Sequence, residues 1–223
     1  MTEYKSWPLG QLPPEFQRPE LDQLKKNGYK FSDPREVVDI FEKKVAKFAG
    51  AKYGIAVDCC SHGLFLSLKW YKDVMKMITE HIHIPRYTYC SVPMQIIHAG
   101  FKPVFEDVTW SGMYQLKPFD IWDGAVRWTQ GMYKSGFHIV SFQLKKRIPI
   151  GRGGMILTND IKAADWLRKM TYDGRDLTIS YMDDDFEHCG YHYYMTPEDA
   201  ARGILLMDQV PKKNLDSGNN RTY

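Results

Sequence analysis

Short apolar segments alternate with amphipathic ones along most of this chain. Residues 53–57 and 137–141 are apolar and of strand length, whereas the segment from Asp33 repeats its apolar residues at helical spacing until Gly50. This alternation predicts an α/β fold with a mainly parallel sheet flanked by helices. Further strands are expected at 82–84, 103–108, 119–122 and 154–158, and further helices at 20–26, from 61 through 74, 91–98, 160–170 and 197–207.

The length of the chain, 223 residues, is enough for one substantial core. We expect an irregular N-terminal arm over residues 1–30 and one large domain over residues 31–210. Four prolines up to residue 19 exclude a continuous helix before Glu20. Residues 211–223 are expected to form a polar tail that is frayed from Asn214 onward.

Net charge, hydropathy and cysteine usage limit the compartment and the kinds of partner that we expect for this protein. The net charge of +3 is too small to indicate nucleic-acid binding, and no apolar run is long enough to span a bilayer. Met1 leads into polar sequence rather than a signal peptide. The four cysteines show neither zinc-site spacing nor a disulfide framework. We therefore expect a cytoplasmic protein, in a reducing compartment, with no membrane or nucleic-acid partner.

The expected sheet directs attention to the loops at its strand ends. Parallel α/β sheets bind ligands at the carboxyl ends of their strands. In this chain that rule selects four loops, and the chemistry is expected where they meet. The loops are residues 58–62, 85–91, 123–127 and 141–146.

A basic stretch, from Ser141 to Gly154 (SFQLKKRIPIGRGG), lies between two apolar runs of strand length. It carries the adjacent lysines Lys145 and Lys146. A lysine between buried strands must be desolvated or paired, and desolvation lowers its pKa and frees the amine for Schiff-base chemistry. The simpler interpretation, a solvated basic turn, is favoured when this stretch is considered alone.

Each of the other candidate residues also allows a functional and a structural interpretation when it is considered alone. The start of the helix after Asp58 could bind an anion through its N–H groups, or Asp58 could be a plain helix cap. Asp123 follows a strand and could pair with a protonated ring nitrogen, or it could be solvated. Tyr87 and Tyr89 could stack on a planar cofactor, or belong to the core or the surface. The histidines lack a metal-ligand spacing, so no metal site is predicted.

Taken in order, these segments resemble the sugar aminotransferases of the DegT type, which depend on pyridoxal 5′-phosphate (PLP) and belong to the fold type I superfamily of aspartate aminotransferase. The resemblance extends over about residues 30 to 210 and rests on many motifs in one order. It implies a reduced form of the fold type I large domain. The similar segments are Phe41-Glu42 to Tyr53, Asp58 to Leu64, Pro85 to Tyr89, Ala99 to Val108, Trp122 to Val126, Ser141 to Asp160, and Gly190 to Ala201.

The resemblance implies roles around the cofactor ring. Lys146, five residues after Ser141, would form the Schiff base with PLP, and Lys145 is the alternative one position out of register. Asp123 would hold the pyridinium nitrogen protonated, which makes the ring an electron sink. Tyr89 would stack on the ring.

The resemblance also implies roles around the cofactor phosphate. Ser61, Ser141 and the backbone at Cys60 and His62 would hold this group. His192 occupies the position from which the family reaches the phosphate of a neighbouring subunit. The protein would then be a homodimer with a shared active site.

The implied reaction is transfer of an amino group, usually from glutamate, to a keto-sugar linked to a nucleotide. Lys146 would act as the base that moves the proton. Such enzymes serve the synthesis of polysaccharides. The substrates would be an amino-acid donor and a nucleotide-sugar.

The chain also departs from the family pattern. Val126 replaces a glutamine that contacts the ring hydroxyl, Arg152 replaces a glutamate, and Tyr194 replaces an arginine. The segment between Val108 and Asp123 is short, and we expect no counterpart of the family's small C-terminal domain. A catalytically silent homologue, kept as a binding or assembly module, is therefore the alternative. PLP-dependent sugar dehydration is disfavoured, because those relatives replace the lysine with histidine.

Overall fold

The structure is a computed structural model that describes residues 17–222, so residues 1–16 of the expected N-terminal arm lie outside it. Within residues 17–222, seven strands form a five-stranded and a two-stranded sheet. The strands are β1 (Tyr53–Val57), β2 (His81–Pro85), β3 (Lys102–Glu106), β4 (Tyr114–Gln115), β5 (Ile121–Asp123), β6 (Phe137–Ser141) and β7 (Gly154–Thr158). The helices are α1 (Glu20–Lys26), α2 (Glu36–Ala49), α3 (Cys60–Lys69), α4 (Ser91–His98), α5 (Ile161–Thr171) and α6 (Pro197–Met207).

The α/β class is confirmed, but the main sheet is mixed rather than mainly parallel. Its strand order is β1-β7-β6-β5-β4, and β7 is antiparallel to both of its neighbours. β6 and β7 are joined by residues 142–153, which contain no helix, and a parallel pair would need a crossover of the kind that a helix provides. Strands β1, β5 and β6 still run in the same direction, so their carboxyl ends lie at one edge of the sheet.

Helices cover both faces of the five-stranded sheet. Successive strand residues point to opposite faces, so Ile55 and Val57 of β1 join one buried cluster while Ala56 joins the other. The first cluster contains apolar residues of α3, α4 and α5, and the second contains those of α1, α2 and α6. Within residues 17–222, no helix is both long and apolar enough to cross a bilayer.

The open edge of β1 is closed by two charged side chains from helices. Glu42 of α2 accepts a hydrogen bond from the backbone N–H of Ala56 at 2.7 Å. Arg168 of α5 donates to the backbone oxygen of Gly54 at 3.5 Å and lies 3.4 Å from the Glu42 carboxylate. An unpaired strand edge exposes backbone groups, so this pair protects β1 from pairing with another chain.

Helix α3 packs closely against β6 and β7 of the five-stranded sheet. A Cβ at Gly63 would lie 3.0 Å from Ile139 and 3.2 Å from Ile156, and a Cβ at Gly154 would lie 2.7 Å from the backbone nitrogen of Cys60. Only glycine permits these approaches without movement of the neighbouring backbone or side chains. The first turn of α3 is thereby held against the start of β7.

Helix boundaries agree with the capping residues in the sequence. Asp160 caps α5, and Thr196 caps α6 with Pro197 in its first turn. Helix α2 begins later than its apolar pattern, at Glu36 rather than at Asp33, and the Glu36 carboxylate accepts hydrogen bonds from the backbone N–H groups of Ser32 and Asp33. Strand β4 has only two residues and was not predicted.

The expectation of a frayed tail is wrong for its described part, residues 214–222. Asp216 forms two hydrogen bonds with Arg127, at 2.9 and 2.7 Å, and Ser217 donates its backbone N–H to the oxygen of Val126 at 2.9 Å. Asn219 forms a bridge with Ser111. The polar tail docks on the domain because its side chains and backbone find specific partners there.

Burial of Glu42 generates a prediction about the pH dependence of stability. Burial raises the pKa of this carboxyl from 4.5 to about 7, despite the opposing charge of Arg168. Between these two values the folded state binds more protons than the unfolded state, so stability falls as pH rises, by up to about 3 kcal/mol in total. Glu42→Gln should remove this loss, and urea unfolding at several pH values would measure it.

Glu36→Gln is the matched control on the same helix. Hydrogen bonds from Ser32 and Asp33 lower the pKa of Glu36 from its ordinary value of 4.5, so this carboxyl is almost fully ionised in both states above about pH 5.5. Its removal should leave the slope between about pH 5.5 and about pH 7 unchanged. Parallel stability curves for Glu42→Gln and the wild-type protein in that range would contradict the account.

Candidate active site

A cavity lies at the edge where β1, β5 and β6 end. Its volume is about 480 Å³, within the range of small-molecule sites. All four loops at the expected strand ends, residues 58–62, 85–91, 123–127 and 141–146, contribute to its lining. The segments beyond those loops supply Trp110, Tyr114, Ser217 and Thr222, among others.

A buried carboxylate, that of Asp123, lines this cavity at the end of β5. Its Oδ2 accepts a hydrogen bond from the Tyr114 hydroxyl at 2.6 Å, and its Oδ1 accepts from the backbone N–H of Ala125 at 2.9 Å. Burial raises the pKa of Asp123, while these two bonds and the charge of Lys146 oppose the rise. The carboxylate can accept a further hydrogen bond from a donor in the cavity, because each oxygen has two lone pairs.

Both lysines of the basic stretch line the cavity, but they are not equivalent. Lys145 is exposed, and its backbone N–H binds the side chain of Gln143 at 2.8 Å. Lys146 is half-buried, and its charge lowers the pKa values of Asp123 and Cys60 against the larger effect of burial. Lys146 is therefore the lysine whose ammonium group acts on the buried end of the cavity.

The first turn of α3 brings hydroxyl groups and a helix N-terminus to the cavity. Cys60 and Ser61 line the cavity, and the hydroxyls of Ser61 and Ser91 lie 2.7 Å apart. Burial raises the pKa of the Cys60 thiol, so it stays protonated. The N-terminus of a helix together with hydroxyl donors forms an anion-binding surface. Ser141, at the end of β6, lines the same cavity.

Two of the predicted site residues have side chains outside the lining of this cavity. The ring of His62 stacks on Tyr193 with centroids 3.7 Å apart, so its predicted contribution is limited to the backbone. Nδ1 of the exposed His192 lies 3.0 Å from the carboxylate of Asp173. Tyr89 lines the cavity and its side chain is more than half exposed.

Asp58 connects the start of α3 to the cavity mouth. It lies 2.6 Å from Nδ1 of His62 and 2.6 Å from Arg152, which lines the cavity. Burial opposes protonation of His62, but its contacts with Asp58 and Cys59 outweigh burial and raise the pKa of His62 to about 9.

Three groups of metal-binding type also cluster here. Ligand atoms of Asp58, Cys59 and His62 lie within 4.8 Å of one another. These three residues contact one another. Nδ1 of His62 lies 2.6 Å from Asp58, and the backbone N–H of His62 donates to the Cys59 sulfur at 3.5 Å. The absence of a metal from this protein stays a prediction.

The docked tail forms a wall of the cavity that the sequence did not indicate. Ser217 and Thr222 line it, and the oxygen of Val126 accepts from both the N–H and the hydroxyl of Ser217. A Cβ at Gly218 would lie 3.0 Å from the Val126 side chain. The valine that departs from the family pattern is therefore the surface on which the tail packs.

A sequence model of the DegT/DnrJ/EryC1/StrS aminotransferase family matches residues 15–122 and 130–218. The chain belongs to this family. The DegT family consists of PLP-dependent enzymes, as the resemblance implied. The region that matches the family model ends at residue 218, within the docked tail.

Individual proteins are similar to this chain in sequence or in fold. SpsC, a spore coat polysaccharide biosynthesis protein of Bacillus subtilis (strain 168), is 26% identical over 202 residues, which are 70% of this chain and 50% of SpsC. The structure of AtS13 from Actinomadura melliaura has a TM-score of 0.70 at 18% identity, over 85% of this chain and 64% of AtS13. DesI, in a structure with its TDP-sugar product, has a TM-score of 0.62 at 18% identity, over 85% of this chain and 56% of DesI.

These comparisons confirm the expected fold type I architecture. They also show a difference in length. This DegT-family chain spans about half of SpsC and less than two thirds of AtS13.

The cavity residues fit PLP, judged by their own chemistry. A buried carboxylate, Asp123, can pair with a protonated ring nitrogen, and the first turn of α3 with Ser61 can bind a phosphate. Lys146 offers an amine in the same cavity. Gly154 lets β7 approach Cys60 closely. Any side chain at residue 154 would collide with the backbone of Cys60 in the first turn of α3.

Proposed function

We propose that this protein is a PLP-dependent aminotransferase that moves an amino group, from glutamate, to a keto-sugar linked to a nucleotide. The observation that carries the proposal is the convergence of Asp123, Lys146 and the start of α3 on one cavity. Membership in the DegT family supports the reaction class. The TDP-sugar product of DesI and the role of SpsC in polysaccharide synthesis support the substrate class.

Each residue has a definite task in this proposal. Ser61, Ser141 and the backbone at Cys60 and His62 hold the phosphate of the cofactor at the first turn of α3. Asp123 accepts the hydrogen bond of the ring nitrogen. When bound, the ring of PLP supplies an electron sink that stabilises the charge left on a carbon after proton removal.

The remaining tasks concern orientation and proton transfer. Tyr89 would stack on the ring of the cofactor. Lys146 would hold the cofactor through its Nζ, and the free amine would take and return a proton. The donor carboxylate and the sugar nucleotide are both anions, and Arg152 and Lys145 provide positive charge at the mouth of the cavity.

A homodimer completes the proposal. His192 lies on the surface beside Asp173, away from the cavity of its own chain. From there it serves the phosphate site of a second copy, as the resemblance implies.

Covalent labelling of the lysine tests the proposal. Borohydride reduction of the protein in the presence of PLP, followed by peptide mapping, should place a phosphopyridoxyl group on Lys146. Lys145→Ala is the matched control and should keep the label, whereas Lys146→Ala should lose it. A label on Lys145 would shift the register by one residue, and no label on either lysine would contradict the proposal.

The second candidate is a silent homologue that binds PLP without turnover. The observation that favours it is the tail packed on Val126, which covers part of the cavity wall beside the ring position.

Turnover separates the two candidates. The aminotransferase should convert glutamate into 2-oxoglutarate in the presence of a TDP-linked keto-sugar, and Lys146→Ala should slow this by about 100-fold or more. Retention of the label together with no 2-oxoglutarate would establish the silent homologue.

A further inference from the structure

We propose that Tyr114 is the positioning residue that keeps Asp123 ionised in the cavity, with Thr88 orienting the tyrosine hydroxyl. This inference rests on the proposed function in one respect, namely that an ionised Asp123 pairs with the ring nitrogen of PLP. Tyr114 belongs to the short segment between Val108 and Asp123, where the chain departs from the family pattern.

Strand register brings the two side chains together. In the antiparallel pair of β4 and β5, Tyr114 lies directly opposite Asp123. Side chains at directly opposite positions are neighbours on one face of a sheet. The Tyr114 hydroxyl donates to Oδ2 of Asp123 at 2.6 Å, in the range of a hydrogen bond to an ionised acceptor.

A second hydroxyl fixes the direction of this bond. Oγ1 of Thr88 is in hydrogen-bond contact with the Tyr114 oxygen. Because the tyrosine proton is committed to the carboxylate, Thr88 must donate in this contact. The resulting chain runs from Thr88 through Tyr114 to Asp123, and each donor strengthens the next.

Few groups act on the charge of Asp123 from the elements around it. Among the described residues these are Tyr114 from β4, Cys60 from the first turn of α3, Lys146 from the loop after β6, and the N–H of Ala125. The Cys60 thiol stays protonated because burial raises its pKa, so it adds no negative charge. Tyr114 and Lys146 are then the side chains that oppose the burial of the anion.

The hydroxyl can be removed without loss of packing. The ring of Tyr114 packs at an angle against Trp110, with centroids 4.8 Å apart, and phenylalanine keeps this contact. Tyr114→Phe therefore removes one hydrogen bond to Asp123 and leaves the cavity wall in place.

The first measurement uses the cofactor-free protein. The carboxyl carbon of Asp123, in protein labelled with [4-¹³C]aspartate, is followed by NMR against pH, and its resonance is assigned by its loss in Asp123→Asn. Removal of a hydrogen bond to a charged group should raise the pKa of Asp123 by about one pH unit in Tyr114→Phe. Thr88→Val should give a smaller rise, and Thr88→Ser should keep the wild-type midpoint.

Tyr133→Phe is the matched control. It removes a tyrosine hydroxyl that donates to the oxygen of Gly136 at 3.2 Å and does not line the cavity. This variant should leave the midpoint of Asp123 unchanged. An unchanged or lowered midpoint in Tyr114→Phe would overturn the inference.

The second measurement uses pyridoxamine 5′-phosphate, whose binding does not require the lysine. Affinity for it should be about tenfold weaker in Tyr114→Phe at pH values below the wild-type midpoint of Asp123, and should approach the wild-type affinity at pH values above the raised midpoint. An affinity loss of equal size at every pH would indicate a purely structural role and overturn the inference. If the wild-type protein does not bind this probe, the proposed function fails, while the NMR titration still decides the role of Tyr114.

Discussion

Burial of the Asp123 carboxylate is the constraint on which the arrangement of the cavity depends. Moving an ion out of water costs several kcal/mol, and the cost must be offset by hydrogen bonds and opposite charge. Here the offset comes from Tyr114, the Ala125 amide and Lys146. Three separate parts of the chain are therefore tied to one group: strand β4, the loop after β5, and the loop between β6 and β7.

The fold delivers these parts to one place because three strands share a direction. β1, β5 and β6 end at the same edge, and β7 returns between β1 and β6. Gly63 and Gly154 let α3 sit close against this part of the sheet. The helix N-terminus and the buried carboxylate thus face a common cavity, which suits a ligand with an anionic group at one end and a cationic ring nitrogen at the other.

Much of this could be predicted from the sequence because the signals are local. Apolar runs gave β1, β6 and β7 their bounds, and capping residues such as Asp160 and Thr196 marked helix starts. The direction of β7 was missed, because it follows from the loop that joins it to β6 rather than from its own residues. The two residues of β4 are too few for a periodic pattern, so the partner of Asp123 was missed with them.

The docked tail was missed for a related reason. A polar composition indicates solvent exposure, but Asp216 and Asn219 find partners that are distant in sequence, Arg127 and Ser111. The same contact explains Val126, which packs under the tail. At this position the departure from the family pattern coincides with a changed neighbour, the docked tail.

The central claim is that the residues of this chain hold PLP at the edge formed by β1, β5 and β6. A crystal structure of the protein incubated with PLP tests it most directly. The account predicts electron density for the ring beside Asp123, for the phosphate at the first turn of α3, and for a link to Lys146. Density for the cofactor at another place, or a cavity that stays free of it at saturating PLP, would contradict the account.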